Sequence, residues 1–164
     1  MVQNMLAIPW YVAVFESFPE AFLIIIVGFK LFNITLSTKN ALLIAALSAL
    51  SLFLIRQAPI VFGLHTFLAI AITIFLAVLI TRLDLWSVTL AILAGIVLLA
   101  ILQSLMIPAL FQLTGLQFSD IPNQPWLNIV LFIPQGVVLV GIYLLIRQKN
   151  WYLYDLGQKD TECA

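Results

Sequence analysis

Charge is scarce in this chain. Asp, Glu, Lys and Arg make up 9% of its 164 residues, where soluble domains carry about one quarter. Hydrophobic residues make up 64% and the mean hydropathy is +1.18. A water-soluble fold of this length has no interior large enough to hide so much apolar surface, so the composition excludes a soluble domain and points to an integral membrane domain. Cysteine is nearly absent. Cys163 stands alone beside the C-terminus, which excludes an internal disulfide and a zinc-finger type of metal site. The formal net charge is zero and no basic run is interleaved with aromatics, so neither a nucleic-acid partner nor a special attraction to anionic headgroups is implied. Lys and Arg are missing from the first twenty-nine residues, which removes the positive n-region of a cleavable signal peptide. The first apolar segment is therefore expected to stay in the mature protein.

What is present is long apolar runs. Five of them approach the ~20 residues needed to cross a bilayer, and the expected fold is all-α, a polytopic transmembrane helix bundle. The predicted spans cover about 8–32, 41–56, 63–81, 86–107 and 126–147, followed by a cytoplasmic tail over 148–164. Trp10 and Tyr11 suit a headgroup boundary. Ala45, Ala46, Ser48, Ala49 and Ser51 make the second span rich in small side chains, which predicts an interior helix that neighbours approach closely. Thr81-Arg-Leu-Asp84 is a tight connection that makes spans three and four an antiparallel hairpin, and Pro108 marks the exit of the fourth. Pro19 and Pro134 lie inside the first and fifth spans, where the missing N–H predicts kinks.

The polar residues inside these spans are the informative ones. An ionisable side chain at membrane depth costs about 2.5–3.5 kcal/mol even on the lenient insertion scale, and normally faces protein, water or a partner charge. Glu16 and Glu20 sit in the first span. In a continuous helix their i, i+4 spacing puts them on one face, where two carboxylates do not both ionise easily. The competing reading makes Ser17-Phe-Pro-Glu20 a capping box that restarts the helix, with Glu20 merely a cap. The available partners are Arg56, His65, Gln103 and Gln135. Arg56 alone reads equally well as a snorkelling helix-end residue, and His65 alone as a packed helix-start residue.

Counting Lys and Arg by side sets the expected orientation. Lys30, Lys39, Arg82, Arg147, Lys149 and Lys159 fall on one face and Arg56 on the other, so the positive-inside rule puts the N-terminus outside and the C-terminus in the cytoplasm. Glu16, Glu20, Arg56, His65, Gln103 and the loop holding Asp120 then gather on the outer side, with Gln135 deeper. Two carboxylates and an imidazole would serve zinc or manganese, but a third strong ligand on a nearby turn is missing, so no metal and no cofactor is expected.

The segment Leu54-Ile-Arg-Gln-Ala-Pro-Ile-Val-Phe-Gly-Leu-His-Thr66, with Phe18-Pro-Glu-Ala21 before it and Ile133-Pro-Gln135 after it, resembles the N-terminal multi-span membrane module of Gram-positive sensor histidine kinases, including quorum-sensing-like ones. The similarity covers nearly the whole chain on short motifs. It implies a bacterial cell-membrane protein in signal transduction. Seventeen residues follow Arg147, too few for a dimerisation helix, a phosphoacceptor segment and an ATPase domain, so the resemblance implies a free-standing module whose output passes through another protein. Intramembrane glutamate proteases are a weaker comparison. They use glutamate, arginine and histidine on separate helices, but their Glu-Glu pair with a following Arg on one helix is missing here, which counts against a hydrolase.

The reading that joins these points is a non-enzymatic sensory or accessory membrane module. Its outer polar pocket (Glu16, Glu20, Arg56, His65, Gln103, Gln135) binds a ligand or partner, and the lipid bilayer and a cytoplasmic or membrane signalling protein are its neighbours. Oligomerisation is left open. The alternative is a small transporter or transporter subunit with a protonatable glutamate pair.

Overall fold

The computed structural model describes residues 9–57, 64–115 and 124–156. Within them the chain is five long helices: α1 Trp10–Leu31, α2 Thr38–Gln57, α3 Leu64–Thr81, α4 Leu85–Thr114 and α5 Trp126–Lys149. Each is long and apolar enough to cross a membrane. The Asp120 loop and the segment carrying Pro59 and Gly63 lie outside the described residues.

The helix ends follow local chemistry. Ser37 caps α2, its hydroxyl accepting from the Asn40 N–H at 3.2 Å. Asp84 caps α4 by accepting from the N–H groups of Trp86 and Ser87 at 3.0 and 3.2 Å, satisfying donors the first turn leaves unpaired. The connection from Thr81 to Asp84 is the expected tight hairpin. Asn33 and Asn150, after α1 and α5, both take the left-handed conformation. The Ile34 N–H reaches back to the Phe29 carbonyl and the Asn33 N–H to that of Lys30, a Schellman closure.

Three boundaries and one packing role differ from expectation. Pro108 does not end the fourth span. α4 runs through it to Thr114 and stops at Gly115, whose positive φ of 70° closes the last turn. Proline removes one backbone donor, and a transmembrane helix tolerates this; a left-handed glycine stops it. α2 starts three residues earlier than expected, because the cap is Ser37. α5 continues to Lys149, and residues 150–156 do not trail away. The Leu153 and Leu156 N–H groups donate to the carbonyls of Leu31 and Phe32 at 2.8 and 3.1 Å. Asn33 donates to the Asp155 carboxylate at 3.0 Å, and Leu156 is buried in the core. Residues 153–156 cap the end of α1.

The central helix is α1, not the small-residue α2. α1 packs against α2, α4 and α5, while α3 touches α2 and α4 and is the most peripheral, with 6% of its span buried. α1 also divides the core. Ile25 and Phe29 pack with Ile44, Ala45, Ala77, Val88 and Ile92 on one side, and Leu23 and Val27 pack with Leu99, Phe132 and Leu139 on the other. α1 and α4 cross in backbone contact. A methyl group on Gly28 would collide with the Ala91 carbonyl oxygen, and one on Gly95 with the Ile24 carbonyl oxygen. Ala91 and Gly95 form the small-xxx-small spacing that permits such an approach.

Candidate functional site

Glu16 and Glu20 owe their placement to the first turns of α1. Pro19 has no N–H, and its ring would crowd the Phe15 carbonyl in a regular α-helix. The chain meets this with a π turn over Ala13–Ser17, closed by the Phe18 N–H on the Ala13 carbonyl five residues back. Such turns often accompany functional sites. Ser17 keeps helical dihedrals and makes no side-chain cap. The helix is continuous, and the capping-box reading of Glu20 is overturned.

The two glutamates open onto different clefts. Glu20 lines a cavity of about 190 Å³ between α1, α2, α3 and α4, with Ser17, Ser48, Arg56, Thr66 and Thr73 as its polar companions and Ile92 and Ile96 among its apolar wall. Glu16 lines a smaller one of about 80 Å³ between α1, α4 and α5, with Gln103, Asn128 and Gln135. The π turn ends at Ser17, so Glu16 and Glu20 stay about one helical turn apart while lining different clefts. The carboxylates remain close enough to interact electrostatically.

Gln103 joins the two clefts. It lines the Glu16 cavity while its Nε2 donates to Glu20 Oε1 at 3.1 Å. Arg56, in the last turn of α2, lines the Glu20 cavity and lies close enough to both carboxylates to act on them electrostatically. Glu16, Glu20 and Arg56 are all half-buried. Gln135 is only 2% exposed on α5. His65 is half-buried in the first turn of α3, one residue before the cavity-lining Thr66. The expected residues thus fall into two adjoining groups, with Glu20 and Arg56 in one, Glu16 and Gln135 in the other, and Gln103 between them. Among the described residues no three His, Cys, Asp or Glu side chains converge as a metal site would require.

Ser48 is the residue that sequence reasoning undervalued, treating it only as small. Hydroxyls on other helices satisfy themselves locally: Thr73 donates to Ala69, Thr81 to Ala77 and Thr114 to Leu110. Ser48 Oγ has no hydrogen-bond partner among the described residues, although Ser48 is 6% exposed, and it lies on the Glu20 cavity. A buried hydroxyl without a partner carries a desolvation cost. Asn128 was missed as well, because nothing in the sequence marks which face of the fifth span it occupies. Comparison with protein-family models, curated proteins and solved structures finds no match to this chain.

Proposed function

We propose that this chain is a non-enzymatic membrane module, sensory or accessory, that binds a small polar ligand in the Glu20 cavity. The observation carrying this reading is that Glu20 and Arg56, on different helices, line one cavity together with four hydroxyl residues. A ligand with a cationic donor toward Glu20 and an anionic acceptor toward Arg56, such as a small zwitterion, satisfies both. The volume favours a small solute, since sites for drug-sized molecules run to about 300–1,000 Å³. The bias of Lys and Arg toward the opposite end supports entry from outside.

A signalling role is supported by the connections of α1. This helix carries Glu20 at its middle, and at its C-terminal end its Leu31 carbonyl accepts from the tail residue Leu153. A ligand that shifts α1 therefore acts on the tail, where a cytoplasmic partner would read it. The test uses purified protein in liposomes and a panel of free amino acids and other small zwitterions. Saturable binding without accumulation is expected, with binding lost in Glu20→Gln and Arg56→Gln. Accumulation inside the vesicles would overturn this reading in favour of a small transporter. Unchanged binding in both variants would remove the cavity from the mechanism.

A further inference from the structure

At the opposite end of the bundle two cations that are remote in sequence come together. Lys30 closes α1 and Arg147 lies in the last turn of α5, and both line one groove of about 400 Å³. Tyr143, Thr35 and Thr38 add three hydroxyl groups to the same groove. Of the described acids at this end, Asp84 caps α4 and Asp155 accepts a hydrogen bond from Asn33. The groove also has an apolar side. Phe22 and Ile26 line it together with Lys30, and residues four apart stack along one helix face. From Phe22 to Lys30 that line rises ~12 Å at 1.5 Å per residue. The groove is cationic and hydroxylated at the end of the bundle and greasy toward the membrane interior.

We propose that this groove is a binding site for an anionic phospholipid, with the phosphate between Lys30 and Arg147 and the first stretch of acyl chain along Ile26 and Phe22. Basic pockets between transmembrane helices at the positively charged end recognise such headgroups. The hydroxyls of Tyr143, Thr35 and Thr38 supply neutral donors to the phosphate oxygens. A free phosphate would use the cations but leave the apolar wall without a role, which is why the occupant is a lipid. The composition shows no basic cluster because the site is assembled by folding.

The experiment uses the full chain in mild detergent, with phosphatidylglycerol, phosphatidylcholine and soluble glycerol phosphate as separate probes, read by native mass spectrometry and by Tm. Phosphatidylglycerol should be retained and should raise Tm, and the other two should do neither. The double variant Lys30→Gln with Arg147→Gln should reduce phosphatidylglycerol retention at least about tenfold, given the attraction each basic residue supplies near anionic lipid. A control pair, Arg82→Gln with Lys149→Gln, removes the same charge outside the groove and should leave retention intact. Equal retention of phosphatidylcholine, equal loss in the control pair, competition by glycerol phosphate alone, or unchanged retention in the groove variant would each overturn the proposal. Both pairs change side chains at helix ends, and the stability of each variant without lipid provides its own reference.

Discussion

Gln103 on α4 donates from Nε2 to Glu20 Oε1 on α1 at 3.1 Å, the hydrogen bond that holds the carboxylate at the boundary between two clefts. Replacing Gln103 with Leu keeps the volume and removes the donor. Interhelical hydrogen bonds in membranes contribute about 0.6 kcal/mol on average and up to about 1.7, so Gln103→Leu should destabilise the bundle within that range. Glu20→Gln retains a carbonyl acceptor and should cost less. Unfolding titrations in detergent check the order, and a Gln103→Leu protein as stable as the parent would show that the bond contributes nothing.

The α1–α4 crossing predicts a sharp contrast between glycines. Gly28→Ala and Gly95→Ala each drive a methyl group into a backbone carbonyl of the facing helix, and overpacking of this kind costs about 1–3 kcal/mol or more. Gly141→Ala meets nothing within 4 Å and should lose no stability. The same titrations compare the three, and equal effects at Gly28 and Gly141 would contradict the close crossing.

How much of this was legible beforehand depends on the kind of interaction. Five apolar runs, the Thr81–Asp84 hairpin and the gathering of Glu20, Gln103 and Arg56 could be read from hydropathy and from the cost of burying polar groups. The π turn could not, because Pro19 is compatible with a restart, a kink or a wide turn, and packing selects among them. Pro108 misled for a related reason: inside a membrane its missing donor is tolerated, so it is a weak stop beside Gly115. The central position of α1 rests on Gly28, the one small residue between Phe22 and Leu31, while the run of small residues from Ala45 to Ser51 in α2 drew attention away from it. The folded-back tail depends on backbone bonds between Leu31 and Leu153, which leave no trace in composition.

Ser48 offers a prediction with opposite signs in two states. An unsatisfied buried hydroxyl costs about 1–3 kcal/mol, so Ser48→Ala should leave the free protein as stable as the parent or more so. If the hydroxyl is held for a ligand of the Glu20 cavity, the same substitution should weaken binding of any zwitterion found to bind there. Paired Tm measurements with and without that solute separate the effects. A Ser48→Ala protein that is markedly less stable without ligand would mean the hydroxyl already has a partner.

The tail cap yields the last prediction. Helix carbonyls at a C-terminus lack intrahelical partners, and here those of Leu31 and Phe32 are supplied by Leu153 and Leu156, with Leu156 anchored in the core beside α1. Leu156→Ala removes most of that anchor. A large-to-small change at a fully packed site costs about 2–5 kcal/mol, but this segment can detach without opening the five helices, so the loss should appear as local release. Hydrogen exchange should find the Leu153 and Leu156 amides protected in the parent and fast in Leu156→Ala, with the amides of α4 and α5 unchanged. Asn33→Gly should have a smaller effect in the same direction, because it keeps the left-handed conformation of that position and removes only the side-chain bond to Asp155. If α1 transmits the state of the Glu20 cavity, adding a ligand that binds there should change exchange at Leu153 in the parent and not in Leu156→Ala. Amides at Leu153 and Leu156 that exchange at unstructured rates in the parent would exclude the tail as a docked element and, with it, this route of transmission.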